Sequence, residues 1–346
     1  MKKTITFITC LFILICLCAC NAQSADQVQS EETKVSYTIG ICNYVDDASL
    51  NQIVDNILAG LKELSEGDDV QIDILYDNAN ADANVMAQII SNFISKDVDL
   101  MVGIATPVAL NMQAMTQDNP IPVIFAAVSD PLSCGLVESL EQPGANISGT
   151  SDFLNTKNVL QLMIEQDPEI RKVGLLYDAS QDASTGPIKE AKDFFPQAGI
   201  TYVEKTGTNV DEIKLAAASL IAEGVQAVFT PTDNTVMTAE LSIYEQFLDA
   251  GILHYAGADS FALNGAFLGY GVDYAQLGRQ TAEMVYEVLS GKADISELPV
   301  RTFDNGTATL NEDVIRTLGM DLDVLKKAFG PLCSDIKTIK TAEEFE

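Results

Sequence analysis

The sequence predicts an α/β protein built as two doubly wound lobes. Three observations carry this. Short apolar runs rich in β-branched residues begin near Tyr37, Gln71, Asp99 and Pro122, and a second series begins near Lys172, Thr201, Gln226 and Ile252. Helical patterns separate the runs at roughly 25–35 residues per unit, the alternation that makes parallel sheets with right-handed crossovers. The chain of 346 residues also exceeds one ordinary domain and suits two.

The first residues are expected to form a leader. Lys2 and Lys3 form a basic start, Ile5 to Leu17 is an almost unbroken apolar run, and Leu17-Cys18-Ala19-Cys20 closes it. A bilayer span needs about 20 apolar residues, more than this run supplies. A small residue before a cysteine after such a run is the pattern of a bacterial lipoprotein, with residues 1–19 removed as a signal peptide and lipid on Cys20. Residues 20–35 are polar and aperiodic and are expected to form a flexible stalk. On this reading the membrane is expected to be met through the lipid anchor only. With the leader's cysteines set aside, Cys42, Cys134 and Cys333 remain, an odd number without metal-type spacing. The net charge of −30 becomes −32 once Lys2 and Lys3 are gone (−30 − 2), and such an acidic body repels nucleic acid.

Within the body, Val173-Gly174-Leu175-Leu176-Tyr177 is apolar throughout, as a strand covered on both faces must be. Glu212–Glu223 places Ile213, Ala216, Ala217, Leu220 and Ile221 on one face of a helix. Pro143 to Thr150 is glycine-rich and suits a crossing between lobes. After the second series come a run Phe267–Gly271, a helix Tyr274–Ser290, a strand-like Val300–Asp304 and a short helix Asn311–Leu318. These pieces must join existing sheets, which implies several crossings. From Asp321 the pattern is charged and weak, and a tail is expected there.

In doubly wound sheets a ligand lies beyond the carboxyl ends of the strands. The residues that follow each strand are therefore the pocket candidates. Thr106 precedes Pro107 at the first turn of a helix, where free backbone N–H groups favour an anion. Ser129 and Asp130, Ser151 and Asp152, and Ser184 follow later strands, as do Thr232, Asp233 and Asn234, then Asp259 and Ser260, and finally Asp273. Each has an ordinary reading as a helix N-cap worth about 1 kcal/mol. Collectively, hydroxyls dominate the first lobe and Asp233, Asp259 and Asp273 come from the second lobe and its return segment. That division suits a zwitterion, its carboxylate on Thr106 with Ser129 and Ser151 in support, and its ammonium on Asp233, with Asp259 and Asp273 as the alternatives. No lysine or arginine stands at these strand ends, which argues against phosphate. Tyr44, Phe153, Tyr177 and Phe261 lie beside the same loops and could stack on an aromatic ring.

Enzyme chemistry finds no footing. His254 is the only histidine, in or beside a strand, and reads as a structural residue. There is no HExxH, no GxxxxGK and no CxxC pair beyond the leader. No catalytic residue, metal or cofactor is expected.

Several motifs occur in order: Asn78-Ala79-Asn80-Ala81-Asp82, Asp99 to Pro107, Ile121 to Pro131, Ser148 to Asp152, Val173 to Tyr177, Pro231 to Val236 and Gly271 to Tyr274. Together they resemble the ABC transporter substrate-binding lipoproteins of the tryptophan/tyrosine-binding type, over about Tyr37 to Leu318. The resemblance implies a type I periplasmic-binding fold, with two Rossmann-like lobes joined by three crossovers. It places 36–149 and 260–292 in the N-terminal lobe, 150–259 and 293–330 in the C-terminal lobe, and leaves 331–346 as a tail. It also implies capture of an aromatic amino acid (tryptophan, tyrosine or phenylalanine) by lobe closure and delivery to an ABC permease and its ATPase, from the extracytoplasmic face of the membrane. A sensor lipoprotein of the same fold, or a binder of another small solute, is the alternative. The pattern departs at Asn43-Tyr44-Val45-Asp46-Asp47-Ala48-Ser49, where relatives usually carry glutamine and then His-Pro. This stretch should border the cleft, with Asn43 and Tyr44 as its candidate ligand contacts.

Overall fold

Alternation along β1 (Ser36–Asn43) sends Ile39 and Ile41 to one face of a sheet and Cys42 to the other. A computed structural model describes residues 35–342, with the exception of Asp69 and Asn305. The expected signal peptide, the lipidation site Cys20 and the stalk up to residue 34 lie outside the described residues, as does the end of the chain from residue 343.

β1, α1 (Ala48–Asp68), β2 (Gln71–Asn78), α2 (Ala83–Ser95), β3 (Leu100–Ile104), α3 (Thr106–Met115), β4 (Val123–Ala126) and β5 (Ile147–Gly149) build the first lobe. Its strands lie in the order β2-β1-β3-β4-β5 and all pair in parallel. One face packs Ile39, Ile41, Leu100 and Val102 with Ile53, Ile57 and Leu61 of α1. The other packs Met101, Val123 and Phe125 with Ile90 and Phe93 of α2 and Met112 of α3. Each fully buried side chain of this kind contributes about 1.5–3 kcal/mol, so both faces hold the sheet.

The second lobe repeats the plan. It comprises α4 (Thr156–Gln166), β6 (Lys172–Tyr177), α5 (Asp182–Gln197), β7 (Thr201–Thr206), α6 (Val210–Ala222), β8 (Ala227–Thr230), α7 (Asn234–Asp249), β9 (Leu253–Ala256), α8 (Asp259–Leu263) and β10 (Leu268–Gly271). The order β7-β6-β8-β9-β10 matches the first sheet, strand for strand. α9 (Tyr274–Leu289) then returns to the first lobe and packs along α1. The two helices approach closely because residue 278 is glycine; a Cβ there would lie 2.7 Å from the Ile53 carbonyl oxygen.

The last third departs from expectation in three ways. The run Leu268–Gly271 was expected in the first lobe, within 260–292, yet β10 pairs with β9 and so extends the second sheet. It follows β9 after only a five-residue helix, and the neighbouring sheet edge is the partner within reach. Conversely, 293–301 stays with the first lobe: Ser148 Oγ donates to the Leu298 carbonyl at 2.6 Å and the Arg301 N–H donates to the Gly149 carbonyl at 2.9 Å. Val300–Asp304 is no strand beyond a single bridge between Arg301 and Thr150. The strand instead is β11 (Thr307–Asn311), antiparallel to β10, with Ala308 and Leu310 buried.

The expected tail is partly core. After α10 (Glu312–Thr317), α11 (Leu322–Phe329) buries Leu325 and Phe329, and β12 (Asp335–Ile339) pairs in parallel with the free edge of β11. Short, polar and half-buried, β12 has too little apolar signal to be read alone, and the open edge beside it supplies its backbone partners. The chain thus passes between lobes after Thr150, between Gly271 and Tyr274, and between Arg301 and Thr307.

Candidate functional site

The carboxyl ends of both sheets face a common cavity. It is lined by Asp47, Ser49, Leu50, Ala105, Thr106, Ala127, Ser129, Asp152, Ala183, Thr232, Asn234, Met237, Ala258 and Tyr274, and its volume of about 20 Å³ is on the scale of a single water. Four of these residues are alanines that follow strands or open a helix, so the strand ends carry small side chains on this wall. Leu50 and Met237 add apolar surface.

Two of the alanines hold unusual backbone. Ala105 has φ 73° and ψ 156°, and Ala127 has φ 54°. A non-glycine residue in these regions is strained by about 1–3 kcal/mol. The twist at Ala105 turns the start of α3 toward the cavity. That start has no side-chain cap and a proline at its second residue. Thr106 is buried and lines the cavity, and its hydroxyl makes no hydrogen bond to another described residue. Uncapped N–H groups, the helix dipole and a free hydroxyl together suit an anionic group.

Carboxyls gather beside it. Asp152 is buried at the first crossing and accepts from Ser129 Oγ at 2.9 Å and from the Tyr274 hydroxyl. Burial raises its pKa to about 6 against the pull of those two donors. Asp47 caps α1, with its Oδ1 accepting from the N–H groups of Ser49 (2.9 Å) and Leu50 (3.2 Å). Its Oδ2 is buried without a partner, and burial, reinforced by nearby Asp259, pushes the carboxyl up to about 7. Asp259, also raised by burial, accepts from Ser49 Oγ at 2.5 Å and from Gln52. Tyr274 feels all three carboxylates and, being fully buried, keeps its proton well beyond the ordinary phenol range. It can only be a neutral donor. No lysine or arginine lines the cavity.

The sequence-derived candidates divide accordingly. Thr106, Ser129, Asp152, Thr232 and Asn234 line the cavity. Ser260 meets it through its N–H, which donates to Ser49 Oγ. Tyr44 and Asn234 line one flank of the cleft with Asp178 and Gln181; Asp130 lines the other with Asp182 and Lys189.

Six candidates turn elsewhere. Asp233 is saturated within its own lobe: Oδ1 accepts from the N–H groups of Thr235 and Val236, and Oδ2 accepts from the Asp178 N–H at 2.8 Å and from Ser184 Oγ at 2.6 Å. It therefore clamps the starts of α7 and α5 to the end of β6, and Ser184 is part of that clamp. Asp273 caps α9 and pairs with Lys337 at 3.3 Å. Tyr177 sits in the core of the second lobe with its hydroxyl toward Glu204 and Lys192. Asn43 bonds Asn51 inside the first lobe, and Ser151 Oγ donates to the Ser129 carbonyl and accepts from the Phe153 N–H. Of the remaining aromatic candidates, Phe261 is fully buried against the His254 ring and Phe153 is exposed. His254 is a satisfied core residue, 2.9 Å from Glu240 and 2.8 Å from Thr230.

Asp47, Ser49, Leu50, Met237 and Tyr274 were not among the candidates. Asp47 carried a signal, since it lies in the stretch that departs from the family pattern, but its position before α1 reads as a cap. Tyr274 stands one residue beyond Asp273, and the side chain that reaches the cleft is the neighbour of the one selected.

A family model described as ABC transporter substrate binding protein matches residues 38–330. The chain belongs to this family. Residues matching the tyrosine-binding protein of Clostridioides difficile are 31% identical over 302 positions, 87% of this chain and 86% of that protein. Among solved structures, an ABC domain from Streptococcus pneumoniae in complex with L-Trp superposes with a TM-score of 0.79 at 28% identity, covering 87% of this chain and 99% of that one. The ligand-free, open structure of a substrate-binding protein with adhesive properties from Clostridium difficile gives 0.67 at 31% identity, covering 88% and 100%. This substrate-binding protein thus shares the two-lobe fold of its relatives, and the family's task is solute binding for transport outside the cytoplasm. No helix among the described residues is long and apolar enough to cross a membrane.

Proposed function

We propose that this substrate-binding protein captures an aromatic α-amino acid in the cleft and presents it to an ABC permease and ATPase while tethered to the membrane by lipid on Cys20. The observation that carries the ligand class is the polarity of one cavity. It combines the uncapped start of α3 and the free Thr106 hydroxyl with the carboxyls of Asp47, Asp152 and Asp259, beside an apolar patch of Leu50, Met237 and four alanines. A carboxylate suits the first group, an ammonium the second and a ring the third. The relative named for tyrosine and the structure holding L-Trp support the same class. The better agreement with the L-Trp complex than with the open form, despite lower identity, suits lobes in a closed arrangement. Closure buries the polar groups on both sides, so binding depends on each finding its partner in the ligand.

Calorimetry of the mature chain with L-tyrosine, L-tryptophan and L-phenylalanine, against tyramine and 3-(4-hydroxyphenyl)propionate, tests this reading. The amino acids should bind and both truncated analogues should lose at least a hundredfold, since each leaves one end of the site unpaired. Equal binding of tyramine would remove the carboxylate assignment.

A further inference from the structure

We propose that Asp47 is the seat of the ligand's ammonium group, and that capture of the ligand releases a proton from Asp47 to solvent. The assignment rests on the amino-acid reading above and adds which carboxyl does the work and what capture does to protons.

Around the cavity, the other carboxyl groups already have donors. Asp152 holds Ser129 and Tyr274, and Asp259 holds Ser49 and Gln52. Asp233 holds four donors and does not line the cavity. Asp47 differs. One oxygen caps α1, and the other is buried in a cavity-lining residue only 2% exposed, with no partner. The Ser260 hydroxyl faces the same carboxyl but donates to Met237 Sδ at 2.9 Å. A buried carboxyl oxygen left unpaired is destabilising, and a ligand N–H removes that cost once the proton has left.

The proton follows from what surrounds the carboxyl. Asp259 faces it from the end of β9, and Asp152 and Tyr274 complete the acidic group around the cavity. The nearby cation, Lys337, acts on Asp259 and pairs with Asp273, and it does not line the cavity. Without a ligand, burial keeps Asp47 protonated up to about pH 7. When an ammonium arrives, the Asp47 O–H bond breaks, the proton passes to solvent, and an ammonium N–H donates to the bared Oδ2. The zwitterion brings no net charge and one proton leaves, so the site gains one negative charge, and that charge stands on Asp47 directly against the ligand ammonium. The ammonium therefore does not enter the enclosed site without a paired counter-charge.

Calorimetry of L-tyrosine binding at pH 6, in two buffers of different ionisation heat, reads the proton directly. The wild type should release close to one proton, as expected for a group titrating near 7 that is charged in the complex. Affinity should fall about twentyfold between pH 7.5 and 5.5 on the same basis. Asp47→Asn still caps α1, so the fold should survive. It should abolish the proton release and cost L-tyrosine at least a hundredfold, while leaving 3-(4-hydroxyphenyl)propionate within about threefold of its wild-type affinity. Wild-type binding with no proton released, or Asp47→Asn binding L-tyrosine normally, overturns this assignment and leaves the amino-acid reading intact. If Asp47→Asn weakens L-tyrosine and its des-amino analogue equally, Asp47 faces the ring hydroxyl and the assignment falls. If the wild type binds none of the three aromatic amino acids, the reading and the assignment fall together.

Discussion

Ser49 donates its hydroxyl to Asp259 at 2.5 Å and accepts from the Ser260 N–H at 3.2 Å, and so ties the start of α1 in the first lobe to the end of β9 in the second. The contact spans 210 residues of sequence and exists only while the lobes are together. Ser49→Ala should therefore weaken the closed state. A hydrogen bond to a charged group is worth about 1.5–3 kcal/mol, so ligand release should quicken by roughly tenfold or more, with little change in the melting temperature of the free protein. Stopped-flow dissociation measures this, and an unchanged off-rate would mean the contact adds nothing to closure.

Thr106→Val keeps the shape of the α3 start and removes its free hydroxyl. We expect a loss of about 1–3 kcal/mol in ligand affinity and an unchanged melting temperature, because the hydroxyl supports no other described residue. A properly folded variant with wild-type affinity would mean that the backbone N–H groups alone hold the carboxylate.

Asp233→Asn separates the clamp from a ligand role. The Asp178 N–H and the Ser184 hydroxyl both donate to one oxygen, and an amide NH₂ in that place leaves the Asp178 N–H without an acceptor. The variant should lose about 2–3 kcal/mol of stability while its ligand affinity, measured well below the transition, stays close to wild type. A stable variant that fails to bind would put Asp233 back in the cleft.

The pH dependence has a definite sign. Burial raises Asp152 and Asp233 to about 6 and Asp47 to about 7, all above an unfolded value near 4. Between those values the native state binds more protons than the unfolded one, so stability falls as pH rises. Without ligand, unfolding free energy should decline from about pH 4 to pH 7 and then level off. Asp47→Asn should flatten the upper part of that decline. Denaturant melts across the range provide the check, and stability that rises from pH 5 to 7 contradicts the burial of these groups.

Lipidation is tested apart from the fold. Cys20→Ser should move the protein from the membrane fraction to the soluble fraction, and the wild type should carry lipid mass on an N-terminal cysteine. Wild type without that mass would remove the anchor from the proposal.

Periodicity alone determined much of this protein. Val173 to Tyr177 had to be a strand covered on both faces, and Ile213, Ala216 and Leu220 had to share a helix face, because local geometry sets those intervals. The repeated strand–helix units led to two lobes, and the strand-end rule led to Thr106, Ser129 and Asp152. Tertiary structure decided the rest. β10 follows β9 into the second sheet because a partner edge lies beside it, and β12 has order because β11 leaves an edge unpaired. Asp233 and Asp47 look alike in sequence, each an aspartate that opens a helix after a strand. Both oxygens of Asp233 are met by its own lobe, whereas one oxygen of Asp47 is left facing the cavity. Which aspartate keeps a free acceptor depends on donors that come from distant segments, and only the folded chain brings those segments together.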